Sequence, residues 1–367
     1  MVVKIKKTSD AASTADLLGV FKTDFGDEIG SFGGRKVNSE RIPTGIFELD
    51  YGLGGGLPRG KVSMIYGPES SGKTNCALLA IANHQKLFPD KVCSFVDIEH
   101  GFDPDWATQL GVNCKKLAVI KPAYAEQAID IIESLLYAKD CGIVVVDSIA
   151  ALVTSSELDA SAEKESMGGV AKTISKLTKK TTRALSEAEK AGRYPTLIYI
   201  NQIMFKVGVV FGDPETYPGG TKPKHQCSII LRLYGKNITD SKVSETMPVL
   251  KEITYVVKKW KCPIQSASGK FSLAMLPYKG LKPGQSDDCG AVIEFLKSFG
   301  EFDKDQKGKG YIIAGEPYPT ITAFKERYYA DDSFSLGVKH LVINIAKNGG
   351  VIEPAGDGLA KDEAPPA

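Results

Sequence analysis

The octapeptide Gly67-Pro68-Glu69-Ser70-Ser71-Gly72-Lys73-Thr74 constrains this chain more than any other feature. It fits G-x-x-x-x-G-K-[ST], a phosphate-binding loop. Such a loop works only between a buried strand and a helix N-terminus, so it dictates a strand–loop–helix unit. Both neighbours are present. Residues 61–66 read as a short buried strand. Residues 75–87 read as a helix with Ala77, Leu78, Ala80, Ile81 and Leu87 on one apolar stripe. The glycines let backbone N–H groups wrap phosphates, and the helix dipole adds positive potential. Lys73 is expected to reach the β- and γ-phosphates of a nucleoside triphosphate, and the Thr74 hydroxyl to ligate Mg²⁺.

A second signal is Ile143-Val144-Val145-Val146-Asp147-Ser148. Four β-branched residues predict a buried central strand. The carboxylate at its C-terminal end faces the sheet edge where ligands bind in α/β folds. Asp147 is the expected partner of Thr74 at the Mg²⁺. Phe95-Val96-Asp97-Ile98-Glu99-His100 ends another strand at the same edge. Glu99 is either the base for an attacking water or a surface carboxylate, and Asp97 either a strand cap or an acceptor behind the site. Tyr199-Ile200-Asn201-Gln202 ends a further strand; Gln202 either senses a γ-phosphate or is an ordinary polar terminus.

The rest of the chain alternates in the same way. Strands are predicted at 62–66, 92–97, 117–120, 143–147, 197–201, 229–233, 253–258 and 271–276, and helices at 75–87, 104–110, 125–137 and 169–191. The fold class is therefore α/β, with a mostly parallel sheet, helices on both faces and an antiparallel edge among the later strands. Residues 1–40 read as an arm with one amphipathic turn, 41–284 as the core, 285–350 as a small α+β domain and 351–367 as a tail. In the small domain, helices are predicted at 289–299, 321–328 and 336–348 and a strand at 310–313. At 367 residues, 43% hydrophobic and 25% charged, the composition suits a soluble globular protein, expected in the cytoplasm and away from membranes. Seven scattered cysteines with no C-x-x-C read as buried free thiols. A net charge of +2 excludes a globally basic nucleic-acid binder, so any such binding needs a local patch.

Two segments supply one. Residues 203–224 form a long stretch without helix or strand pattern, rich in Gly and Pro, with Phe205, Lys206 and Phe211. Residues 155–169 precede a helix bearing Lys172, Lys176, Lys179, Lys180 and Arg183 with no acid between. A basic face and aromatics on a loop suit single-stranded nucleic acid; a solvated lysine surface is the alternative.

Taken together, these motifs resemble the RecA recombinases. The resemblance rests on 67–74, on Val96-Asp97-Ile98-Glu99-His100-Gly101-Phe102-Asp103-Pro104, on Val144 to Leu152, on Met167-Gly168, and on Ile200 to Gly220. Upstream, Ile42-Pro43-Thr44-Gly45 and Gly54 to Gly60 also match. It covers residues 15–285 well and the remainder loosely. It implies ATP with Mg²⁺, single- and double-stranded DNA as partners, and a helical homo-oligomer with the N-terminal arm on the next protomer. By position, Glu99 takes the role of catalytic glutamate and Gln202 that of nucleotide sensor, beside Lys73. The resemblance puts Asn75, Asp103 and Trp106 at the nucleotide, the last two at adenine. Residues 155–169 and 203–224 become DNA-binding loops, with Met167, Gly168, Val207, Phe211, Gly219 and Gly220, and with Lys172 and Lys176 on the following helix. Lys224 and Lys258 resemble lysines that reach the neighbouring subunit's ATP. Lys259-Trp260-Lys261, His225 and Asn75 depart from the family pattern, and leave the second such lysine open between Lys259 and Lys261. These departures mark a divergent member, bacterial or bacteriophage in origin. A hexameric helicase shares the fold and the ATP site; the match through 203–220 favours a recombinase.

Overall fold

The computed structural model describes residues 13–25, 40–158, 169–205, 215–305 and 310–348. Its centre is an eight-stranded sheet. The strands are β1 (Val62–Gly67), β2 (Val92–Asp97), β3 (Leu117–Ile120), β4 (Cys141–Asp147), β5 (Thr196–Gln202), β6 (Ile229–Ile238), β7 (Leu250–Trp260) and β8 (Ser268–Ala274). They lie in the order β8-β7-β6-β1-β5-β4-β2-β3. From β6 to β3 every pairing is parallel; β7 and β8 add the antiparallel edge.

Alternation along the central strands divides the core in two. Ile143 and Val145 face the helix Lys73–Leu87, together with Ile65, Phe95, Ile198 and Ile200. Val144 and Val146 face the helices Ala125–Tyr137 and Gly169–Lys190, together with Met64, Val96 and Tyr199. Both sets are buried, which is why β4 carries no polar residue between Gly142 and Asp147. The helix Lys73–Leu87 departs from the expected stripe. Cys76 through His84 are all buried, whereas Leu87 is 40% exposed. The sheet covers one side of this helix, and the segment Thr44–Ile46 with residues 282–286 approaches the other.

The basic face on Gly169–Lys190 is narrower than its sequence implies. Lys180 is paired with Asp130 and Glu133 at 2.7 and 2.6 Å, and Arg183 with Glu187 at 2.8 Å. Lys172, Lys176 and Lys179 are exposed and form no ion pair among the described residues. The segment 203–224 is also more ordered than expected at its ends. Met204–Phe205 pairs antiparallel with Glu215–Thr216, and Thr221–Gln226 is a short helix.

Residues beyond β8 build a second core from the helices Cys289–Ser298, Ile321–Ala330 and Asp332–Lys347 and a three-stranded sheet of Phe302–Lys304, Tyr311–Ile313 and Glu316–Tyr318. Phe47, from the helix Phe47–Gly52, inserts into it. One buried charge pair fastens the junction. Asp288 accepts from Lys339 Nζ at 2.9 Å, from the Phe47 N–H at 3.1 Å and from the Tyr328 hydroxyl at 2.9 Å. Lys339 also donates to the Gly45 carbonyl at 2.7 Å.

Removing one member of a buried pair strands the other charge. Lys339→Ala is therefore expected to lower the unfolding free energy by about 3 kcal/mol. Urea denaturation monitored by circular dichroism measures it. An unchanged midpoint and slope would contradict this account of the junction.

Candidate functional site

Parallel pairing sets four strand ends at one edge of the sheet, in two level pairs two residues apart. Gly67 of β1 is in register with Gln202 of β5, and Asp97 of β2 with Asp147 of β4. The loop leaving β1 then turns into the helix Lys73–Leu87 at Gly72. Its φ is +90°, and a Cβ there would meet Ile253 Cδ1 at 2.5 Å, so only glycine serves. The result is a cleft lined by Glu69, Ser70, Lys73, Thr74, Glu99, Asp147 and Gln202 at the mouth of a helix N-terminus.

Its polar groups satisfy one another. Lys73 Nζ folds back onto the loop carbonyls of Gly67 at 3.1 Å and Pro68 at 2.6 Å. Burial lowers its pKa; Asp147, Glu99 and Glu69 oppose that shift. The Thr74 hydroxyl donates to Asp147 Oδ2 at 2.8 Å. Burial pushes the Asp147 carboxyl up to about 6 against the lowering effect of the Thr74 hydrogen bond, and the nearby Glu99 charge adds to the rise. The Asp147 carbonyl accepts from the N–H groups of Ile98 and Glu99 at 2.8 and 3.2 Å, which fixes where Glu99 leaves β2. Glu99 Oε1 accepts from the Ser148 hydroxyl and, at 2.9 Å, from Gln202 Nε2. Its Oε2 receives no hydrogen bond among the described residues.

Asp97 resolves as a turn-former. It is buried and accepts from the N–H groups of Gly101 and Phe102 at 2.9 and 3.2 Å, which shapes the bend carrying Glu99. Asp103 caps the helix Pro104–Gln109 through the N–H groups of Asp105 and Trp106. Trp106 Nε1 donates to Asn75 Oδ1 at 3.0 Å, so these two lie together beside the helix that starts the cleft.

Lys224 and Lys258 are not brought to this cleft. They lie near the start of β6 and the end of β7, where Ile229 pairs with Trp260, at the sheet edge opposite the phosphate loop. Gly219 (φ +104°) rests against Ile174 of the helix that carries Lys172 and Lys176. Gly220 ends the same turn, and the Lys222 ammonium reaches the Ser175 hydroxyl. Met167, Gly168, Lys206, Val207 and Phe211 lie outside the described residues. The sequence reading did not single out Ser148 or Lys251. Lys251 occupies a buried position in the alternation with Ile253, Tyr255 and Val257, and that misplaced charge was the available signal.

The donor set suits a nucleotide with a hard divalent cation. A lysine and a helix N-terminus face the cleft, and a hydroxyl and a carboxylate oxygen lie side by side as oxygen ligands. A family model described as the RecA N-terminal domain matches residues 17–275. Protein RecA of Herpetosiphon aurantiacus is 33% identical over 338 residues, which span 90% of this chain and 91% of that protein. Protein RecA of Thermus aquaticus is 39% identical over 286 residues, 77% of this chain and 81% of that one. Protein RecA of Symbiobacterium thermophilum is 45% identical over 199 residues, 54% and 55% of the two chains.

The raised Asp147 carboxyl makes a signed prediction. A folded pKa of about 6 against an ordinary 3.8 means that the folded state holds this proton more tightly than the unfolded state. That stabilisation is complete below about pH 4 and is lost as pH rises through 6. Asp147→Asn keeps an acceptor for Thr74 without the charge. In metal-free, nucleotide-free buffer it is expected to gain roughly 1–2 kcal/mol at pH 7.5 and nothing at pH 4. Thermal melts with a chelator at the two pH values measure the difference.

Proposed function

Because the chain belongs to the RecA family of ATP-dependent recombination proteins, we propose that it binds Mg·ATP in this cleft and forms a helical filament on single-stranded DNA. In that filament it catalyses homologous pairing and strand exchange with duplex DNA, with DNA-dependent ATP hydrolysis. One observation carries the reading: Gln202 touches Glu99 at 2.9 Å, and the chain leaving Gln202 runs directly into the 203–224 segment. A single residue thus stands between the nucleotide cleft and the segment assigned to DNA.

In this reading Lys73 leaves its own loop carbonyls for the β- and γ-phosphate oxygens, and the N–H groups of 69–74 wrap the rest. Thr74 and Asp147 hold Mg²⁺, which neutralises phosphate charge as the γ-phosphoryl departs. Glu99 is the base. Ser148 and Gln202 occupy Oε1, so Oε2 is the oxygen assigned to the attacking water. Gln202 exchanges Glu99 for the γ-phosphate and so reports nucleotide state to the following segment. Asn75, Asp103 and Trp106 are assigned to the nucleoside end.

DNA is assigned to Met167, Gly168, Val207 and Phe211 as apolar and backbone contacts, and to Lys172 and Lys176 as phosphate contacts. Gly219 and Gly220 are assigned to the end of the second loop. Lys224 and Lys258 are assigned to the neighbouring protomer's ATP. Lys259 and Lys261 both send their ammonium groups to the Lys224–His225 backbone, which supports placing both beside Lys224 in this role. The helix Thr14–Phe25 leaves Leu17 and Leu18 half-exposed, and a separate apolar groove is lined by Tyr124, Ile131 and Leu135. Joining two different surfaces of identical copies gives a head-to-tail contact, which propagates as a helix when its rotation does not close a ring. The arm (1–40), core (41–284), C-terminal domain (285–350) and tail (351–367) complete this reading. No helix among the described residues is long and apolar enough to cross a membrane, in keeping with a cytoplasmic role.

Electron microscopy of the protein with single-stranded DNA and Mg·ATP tests the assembly: filaments support the proposal, and closed rings indicate a helicase instead. Glu99→Gln tests the chemistry. The amide still orients water but cannot take its proton, so ATP binding should persist while DNA-stimulated turnover falls at least about 100-fold. Filaments of this variant should outlast those of the wild type. Unchanged turnover on saturating DNA would remove Glu99 from the base role.

A further inference from the structure

Among the described residues, Lys251 is an ammonium group at the phosphate loop that the assignments above leave unused. It lies on β7, two strands away from the loop's own strand, and is only 8% exposed. Its Nζ donates to the Ser70 carbonyl at 2.8 Å. It forms no ion pair with any carboxylate among the described residues. Burying an unpaired ammonium is expensive, so its retention calls for a counter-charge or a task.

The surroundings of Ser70 supply the task. Ser70 stands at the bend of the loop with φ +57°, a backbone conformation that a non-glycine residue adopts only when held there. From below, the Ser70–Ser71 peptide rests on Gly235 of β6. A Cβ at Gly235 would lie 2.9 Å from the Ser70 carbonyl oxygen and 3.0 Å from Ser71 Cα. In a trans peptide the C=O and N–H point in opposite directions. With the Ser70 carbonyl held by Lys251, the Ser71 N–H on the other side of the same peptide makes a 3.3 Å contact with the Pro68 carbonyl of the loop. That same carbonyl also receives Lys73. Lys251 thus holds one peptide dipole of the loop by its negative end.

We propose that Lys251 is a positioning residue of the nucleotide site: it fixes the Ser70–Ser71 peptide with its N–H toward the phosphates and adds a second positive charge behind the loop. The inference rests on the nucleotide reading of the cleft. The bound polyphosphate is the counter-charge that this buried ammonium otherwise lacks. Lys251 and Lys73 repel each other, and burial lowers the pKa of both; the phosphates relieve that repulsion. Affinity for nucleotide, not the chemical step, is what Lys251 supplies.

The test uses the full-length protein and Mg·ATP and Mg·ADP as probes, with calorimetric binding, steady-state turnover and thermal melts. In Lys251→Met the Kd for both nucleotides should rise about tenfold. Turnover at saturating ATP should stay within about twofold of wild type, because the base and metal ligands are untouched. The nucleotide-free melting temperature should hold or rise, because a buried charge has been removed. Lys251→Gln keeps a donor to the Ser70 carbonyl without the charge, and should bind at least about threefold more weakly than wild type. Wild-type affinity in the Met variant overturns the inference. So does a nucleotide-free melting temperature that falls together with affinity, since Lys251 would then merely hold the fold. Wild-type affinity in the Gln variant overturns the role of the charge. Lys73→Ala serves as the control for the site itself. If the wild type binds neither nucleotide, or if Lys73→Ala binds as the wild type does, the nucleotide reading fails. A silent Lys251→Met beside a defective Lys73→Ala removes only Lys251.

Discussion

Everything at the cleft depends on the register between parallel strands. A parallel ladder has no two-residue turn to set its alignment; crossover helices and the burial of both faces set it instead. Here Gly67 is level with Gln202, and Asp97 is level with Asp147. A slip of one residue in β5 would turn Ile198 and Ile200 from one apolar layer to the other and carry Gln202 off the edge. The hydrophobic alternation that stabilises the sheet is thus the same constraint that aligns the polar strand ends. Two contacts to the Asp147 carbonyl, from the N–H groups of Ile98 and Glu99, extend that alignment two residues beyond the ladder, to the carboxylate assigned as base.

The polar groups of this edge pair with one another. Lys73 is held by two carbonyls of its own loop, Thr74 by Asp147, and Glu99 by Ser148 and Gln202. In the proposed reading, each contact is made by an atom that a triphosphate and its cation would compete for. On that reading, binding is an exchange of partners at the ends of strands whose register the sheet already sets. The exchange at Gln202 differs from the others, because Gln202 is the last residue of a strand and moving its side chain loads the chain that follows.

Much of this was legible in the sequence, for identifiable reasons. The run Ile143–Val146 announced a strand buried on both faces, and the helix 125–137 was predicted to the residue because its apolar spacing is unbroken. Strands β6 and β7 were underestimated, as 229–233 and 253–258. Lys236 and Asn237 face Glu252 and Lys251 across the ladder, and these polar residues hide strands that backbone pairing continues. The three-residue strands Phe302–Lys304 and Glu316–Tyr318 are too short to carry a pattern. The helix Thr221–Gln226, with the sequence TKPKHQ, has no apolar periodicity and is held by its packing on the helix Gly169–Lys190. At the site, Lys73, Thr74, Glu99, Asp147 and Gln202 were legible because each ends a strand or a motif. Ser148 was not, because its importance lies in the Glu99 that a distant segment brings to it; Lys251 showed only as a charge in an otherwise apolar alternation.

The feet of the 203–220 segment show how the cleft and that segment share one foundation. The first foot is Gln202, whose strand β5 pairs with one side of β1. The second is Glu215, which is ion-paired to Arg232 of β6 and accepts from the Tyr234 hydroxyl at 3.3 Å. Arg232 in turn lies over the Tyr234 ring at 3.6 Å, so the pair is held from two sides. Arg232 pairs in register with Tyr66, the residue before the phosphate loop, on the other side of β1. Both feet therefore stand on the two strands that flank the loop, and the Met204–Phe205 and Glu215–Thr216 ladder ties them together above it. The ladder links the chain leaving Gln202 to Glu215, and Glu215 is tied to β6 through Arg232. That strand also carries Gly235, on which the Ser70–Ser71 peptide rests, so the segment and the phosphate loop both stand on β6.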